Sequence, residues 1–116
     1  MVGRKYLITG RTQKPKLVIT ENFLSELETV IIYGQTVFGD KTAEKFLKGI
    51  KERILALPKM PHANPKNRFV ESTDRKVYRN IIYEKYYVVY SVTKTTIRVI
   101  SIVHQATNPK KLSKIK

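Results

Sequence analysis

Cysteine is absent from this 116-residue sequence. That excludes disulfides and thiolate metal sites and suits a reducing compartment. The two histidines, His62 and His104, stand far apart and have no cysteine companions, so no zinc set can be read. There is no phosphate-cradling glycine-rich loop and no Ser-His-Asp arrangement. No cofactor is expected. No apolar run approaches the roughly 20 residues that span a bilayer, so no membrane partner is expected either. The N-terminal MVGRKYLITGR lacks the apolar core of a secretory leader, which predicts a cytoplasmic protein.

Acidic residues are also scarce, and unevenly so. The formal charge is +14, and no acid follows Glu84. Residues 1–20 hold five basic residues and no acid, whereas residues 21–57 are nearly balanced, with five basic and six acidic. Residues 58–116 hold thirteen basic residues against three acids. The positive field therefore belongs to the ends and the C-terminal half. It favours a polyanion or an acidic protein as partner, against the plainer reading of a solubilising surface.

What is present centres on residues 77–104. Three runs rich in Val, Ile, Tyr and Thr follow one another: Val77–Tyr83, Tyr86–Thr93 and Ile97–His104. Links this short exclude a helical crossover, so the runs form an antiparallel meander. In the middle run one alternating set is Tyr86, Val88, Tyr90 and Val92. The other, more polar set contains Tyr87 and Ser91 and is assigned to an open face.

Upstream, Lys16-Leu17-Val18-Ile19 reads as a strand, and Tyr6–Thr9 as a short strand or a frayed extension. Thr20 is a candidate N-cap with Glu21 behind it. Phe23, Leu24, Leu27, Val30, Ile31 and Phe38 then recur at helical spacing. Gly39 ends that helix and Asp40 caps the next. The second helix buries a face of Ala43, Phe46, Leu47, Ile50, Ile54 and Leu57 and stops at Pro58. Pro58, Pro61 and Pro65 then keep a basic loop irregular, with Phe69-Val70 as its anchor. The expected fold is α+β: an N-terminal strand and an αα-hairpin on one face of an antiparallel sheet. Residues 1–13 form a basic extension, 14–112 a single domain and 113–116 a basic tail.

This order, with Arg79 in YRNII, then Tyr86-Tyr87-Val88-Val89-Tyr90, then Val99–Val103 and the ending His104-Gln105-Ala106-Thr107-Asn108-Pro109, resembles the RelE/ParE superfamily of toxins from type II toxin–antitoxin systems. The ending is similar to the ParE-type His-x-x-x-(Asp/Asn)-Pro. The resemblance implies a cognate antitoxin, small, acidic and partly disordered, and a target that is either DNA gyrase or the ribosome with its mRNA. In the mRNA-cleaving members an Arg stands where this chain has Tyr87, another where it has Gln105, and an aromatic residue closes the motif where it has Asn108-Pro109. These departures favour a ParE-like inhibitor over an endoribonuclease. They also leave room for a decayed toxin, or for a non-toxic basic module binding RNA or DNA.

Cleavage through a ribose 2′-OH needs a base, an acid and cations around the phosphate. The candidates are His104, Arg79 and Tyr87. His104, at a strand end, is either a site group or a capping imidazole. Tyr87 either stacks on a base or packs across the strands. Arg79 either clamps a phosphate or is a solvated strand charge. His62 reads as surface. Arg68, Lys76, Arg79, Lys110 and Lys111 supply cations for a nucleic-acid or protein target.

Overall fold

The computed structural model describes residues 14–67 and 70–106. The expectations for residues 1–13, for Arg68 and Phe69, and for the tail with Lys110 and Lys111 lie outside that range.

Among the described residues the first element is strand β1 (Lys16–Ile19), followed by helices α1 (Glu21–Phe38) and α2 (Asp40–Leu55). Strands β2 (Val77–Tyr83), β3 (Tyr86–Val92) and β4 (Thr96–His104) follow. The sheet order is β1-β4-β3-β2. The last three strands form the antiparallel meander that their short links require, while β1 lies parallel to β4, Lys16 opposite Thr96. Thr93 belongs to the β3–β4 turn rather than to a strand. Its hydroxyl and N–H both bond the Thr96 carbonyl, which closes the hairpin.

Thr20 joins sheet to helix. Its hydroxyl oxygen accepts from Phe23 N–H at 3.1 Å, which caps α1, and the hydroxyl donates to the Val99 carbonyl of β4 at 2.8 Å. Gly39, at φ 94°, ends α1 and also precedes α2, a backbone geometry that favours glycine. Asp40 is therefore the first residue of α2 and not its cap, because the link between the helices is a single residue.

The core lies between the hairpin and one sheet face. Phe23, Ile50, Ile54 and Leu57 meet Ile81, Val88, Tyr90, Val92, Ile97, Val99 and Ile102. Each fully buried aliphatic side chain contributes roughly 1.5–3 kcal/mol. The alternation read for β3 holds, with Val88, Tyr90 and Val92 turned to the helices. Two helical positions differ from expectation. Leu24 and Phe38 are 52% and 63% exposed, since they lie off the stripe that meets the sheet.

Ser91 is a further correction. It is only 2% exposed rather than on an open face. It pairs directly with Tyr78, itself buried, so a large cross-strand neighbour covers it. Between Val89 and Tyr90 the β3–β4 register slips, leaving Ile100 without an opposite residue.

Candidate functional site

The proline-rich loop is fastened to the sheet by two side chains. Tyr90 is fully buried in the inner strand β3. Its hydroxyl donates to the Pro61 carbonyl at 3.2 Å and accepts from the Asn64 side-chain amide at 3.1 Å. Burial pushes the Tyr90 phenol above its ordinary pKa, opposed by the Asn64 hydrogen bond and the Arg79 charge. Arg79 stands opposite Tyr90 on β2, and its Nη1 donates to the Asn64 carbonyl at 2.6 Å. Its Nε is buried with no hydrogen-bond partner among the described residues. Arg79 thus commits one arm to holding the loop, and is not a freely solvated strand charge.

His104 lies at the far end of the same sheet face, exposed. Its Nδ1 accepts from the Ala106 N–H at 3.0 Å, and its ring meets Tyr86 edge-on at 5.2 Å. Tyr86 in turn packs edge-on against Phe46, and Phe46 against Tyr83. Burial, then the nearby Tyr33 phenol, raise the Tyr86 pKa. Gln105 donates its backbone N–H to the Lys85 carbonyl and its side-chain amide to the Glu84 carbonyl, which ties the end of β4 to the β2–β3 turn.

Tyr87 points to the opposite face, where it packs with Val89 and Val103. Lys76 places its ammonium 5.9 Å from the centre of the Tyr78 ring. His62 is exposed on the loop. The three nominated catalytic residues therefore do not converge. Arg79 stands opposite Tyr90 and His104 opposite Tyr86. Those positions are separated by about 13 Å of strand, and Tyr87 is on the other side of the sheet. Among the described residues no group of three or more His, Asp and Glu could hold a metal ion.

Periodicity missed one feature. An apolar groove opens between the helices, lined by Val30, Tyr33, Gly34, Phe38, Phe46 and Tyr86. Beside it Ile32, Tyr33, Val37 and Phe38 are each more than half exposed. The available signal was the stretch 29–39, which holds no charged residue in a chain that is 28% charged. The result is an exposed, uncharged apolar patch on an otherwise strongly basic protein.

A two-helix hairpin laid on one face of a four-stranded mixed sheet, with an uncharged groove on the hairpin and a basic C-terminal half, defines a small α+β protein of the ParE/RelE toxin fold. Residues 17–109 match the family described as ParE toxin of type II toxin-antitoxin system, parDE, and the chain belongs to that family. Among solved structures it is similar to the chromosomal ParDE toxin–antitoxin system from P. aeruginosa. That match has 15% identity, covers 78% of this chain and 96% of the other, and has a TM-score of 0.64. A second similar structure is the archaeal RelE–RelB complex from Pyrococcus horikoshii OT3, at 14% identity, with 83% and 100% coverage and a TM-score of 0.49. No curated protein sequence matches. The family expected from the Tyr86–Tyr90 strand and the His104 ending is the one found, and the chain is a toxin of a type II toxin–antitoxin system. Among the described residues no helix is long and apolar enough to cross a membrane.

Proposed function

We propose that this toxin arrests growth by a ParE-like action on DNA gyrase and is neutralised by a cognate antitoxin bearing an acidic, partly disordered segment. The observation that carries the choice of target is the dispersal of Arg79, His104 and Tyr87. General acid–base catalysis needs its groups within about 3 Å of the reacting atoms, or one water away. Arg79 is held to the Asn64 carbonyl, and His104 and Tyr87 lie on opposite faces. An inhibitor that acts by occupying its target needs cations and a shaped surface but no such convergence. Lys76 and Arg79, with Arg68, Lys110 and Lys111, are the target-binding cations in this reading.

The antitoxin reading draws support from two surfaces. The +14 charge attracts an acidic chain and speeds its encounter. The groove at Tyr33, Phe38 and Phe46 gives such a chain apolar anchor points once it folds.

The experiment is direct. Purified protein is added to gyrase with supercoiled DNA, and separately to translating ribosomes with a defined mRNA. Stabilised gyrase–DNA cleavage complexes are expected, with intact mRNA. Codon-dependent mRNA cuts with unaffected gyrase would reverse the assignment.

A further inference from the structure

Among the described residues the outer edge of β2 is covered over only part of its length. The Tyr78 carbonyl accepts from the Asn67 N–H at 2.8 Å, and the Asn80 N–H donates to the Pro65 carbonyl at 3.0 Å. Lys66 lies opposite Arg79 in this short antiparallel bridge. By the alternation of an antiparallel strand, Tyr78, Asn80 and Ile82 all turn their main-chain groups outward. Among the described residues the cover stops at Asn80. Among the described residues nothing bonds the outward N–H or C=O of Ile82, whose side chain is 49% exposed.

Edge strands are usually blunted by charge, proline or a bulge. Pro65 and Lys66 blunt the first half of this one. The second half, Asn80-Ile81-Ile82-Tyr83, carries no charge and no proline.

Directly beside that open half is a hollow between the end of α2, the loop and the strand. It is lined by Arg53, Leu57, Met60, Ala63, Asn64 and Ile81. Met60 is 64% exposed. A strand added to β2 would direct alternate side chains to this face of the sheet, one of them into the hollow next to Ile81.

The charges around the edge select the occupant. Arg53 lines the hollow, Lys66 sits on the bridged half, and the turn that follows Tyr83 holds Lys85 together with Glu84, so cations outnumber the single carboxylate by three to one among these four residues. Two copies of this chain meeting edge to edge would bring these cations against themselves. An acidic chain would be drawn to them.

We propose that the free half of the β2 edge is a strand-addition site for an extended acidic segment of the antitoxin, main chain paired to Asn80 and Ile82 and one apolar side chain in the hollow. This rests on the toxin–antitoxin reading above and adds the mode of capture.

The test uses the full-length chain, isotope-labelled, alone and in complex with the protein encoded by the adjacent reading frame. Amide exchange is read by NMR. In the complex the Ile82 N–H is expected to exchange about a hundredfold more slowly than in the free chain. An intact complex by size exclusion with Ile82 exchange unchanged overturns the edge proposal and leaves the antitoxin reading standing. Absence of any complex overturns that reading as well. Slowing in the free chain that grows with its concentration assigns the edge to a second copy and also overturns the proposal.

A second arm uses Ile82→Pro. The lost N–H points away from β3, so the ladder stays intact and the fold is retained. Affinity for the same partner is expected to fall about tenfold, the loss of one main-chain hydrogen bond. A folded Ile82→Pro variant that binds as tightly as the parent counts against the pairing.

Discussion

One oxygen of Glu26 accepts two hydrogen bonds from β4, from the Ser101 hydroxyl at 2.5 Å and the Ile102 N–H at 3.1 Å. Glu26 is on the second turn of α1. Strand β1 ends at Ile19, opposite Val99, so β4 loses its strand neighbour there. From that point α1 takes over with side chains. Thr20 and Asn22 donate to the Val99 and Ile100 carbonyls, and Glu26 answers the donors beyond. The helix completes the hydrogen bonding of an edge that would otherwise be bare.

Removing that carboxylate is therefore costly. Glu26→Ala leaves the Ser101 hydroxyl and the Ile102 N–H short of a partner, and about 1–3 kcal/mol of stability is expected to go. Urea unfolding followed by circular dichroism measures it. A midpoint within error of the parent would show that water replaces Glu26 without cost.

Gly49 gives a second prediction, against helix propensity. Alanine is normally about 1 kcal/mol better than glycine inside a helix. Here an added Cβ would lie 2.6 Å from Cζ of Tyr83 and closer still to its hydroxyl. The Tyr83 ring is held by Phe46 edge-on at 5.2 Å and by the Arg53 guanidinium at 5.1 Å, so it cannot simply swing away. Gly49→Ala is expected to destabilise by about 1–2 kcal/mol, as overpacking does. In Gly49→Ala/Tyr83→Ala the alanine at 49 should turn neutral or favourable. Additive effects of the two changes would refute the contact.

The Tyr90 phenol makes stability fall at alkaline pH. Its pKa is raised in the folded chain, chiefly by burial, above the ordinary 10.0. The folded protein then holds its proton where the unfolded chain has lost it. The contribution is complete below pH 10 and is lost as pH rises through the folded value. Denaturation midpoints measured from pH 8 to 11 should drop above 10. In Tyr90→Phe the drop should be shallower, although that variant starts lower for want of the Pro61 and Asn64 bonds. Equal slopes would place the effect elsewhere.

Charge should govern capture of the antitoxin more than retention. Raising salt from about 0.05 to 0.5 M shortens the screening length from roughly 14 to 4 Å. The association rate is expected to fall about tenfold or more while dissociation changes little. Stopped-flow mixing with the adjacent-frame protein reads both. A dissociation rate that carries the whole salt effect would point to buried ion pairs.

Local pattern made the skeleton of this fold legible. Val77–Tyr83 is legible because its β-branched and aromatic run stops at Glu84 and Lys85, and a link that short allows only the tight turn seen, with Glu84 at φ 53°. Thr20 was readable as a cap because Ser/Thr before an apolar helical stripe serves an N–H three residues on. Ser91 was not readable as buried, since alternation tells which residues share a face but not what covers it. Nor was the bond between Glu26 and Ser101, 75 residues apart, because an exposed-looking glutamate on a helix gives no sign of the strand end beside it. At the site, Arg79 was singled out by its residue type, yet its attachment to Asn64 depends on how a proline-rich loop folds back, which no periodicity encodes. The open half of β2 was hidden for the same reason: only the position of residues 65–67 reveals where the cover ends.

The parallel pairing of β1 with β4 also orders events in time. The residues next to Lys16 in the finished sheet begin at Thr96, so the inner position between β1 and β3 stays vacant until the ribosome has passed that strand. Nascent chains arrested before that point should be cut readily by protease, while chains that include β4 resist. Translation thus leaves β1 waiting for its neighbour, and the sheet closes around the last of the four described strands to be made.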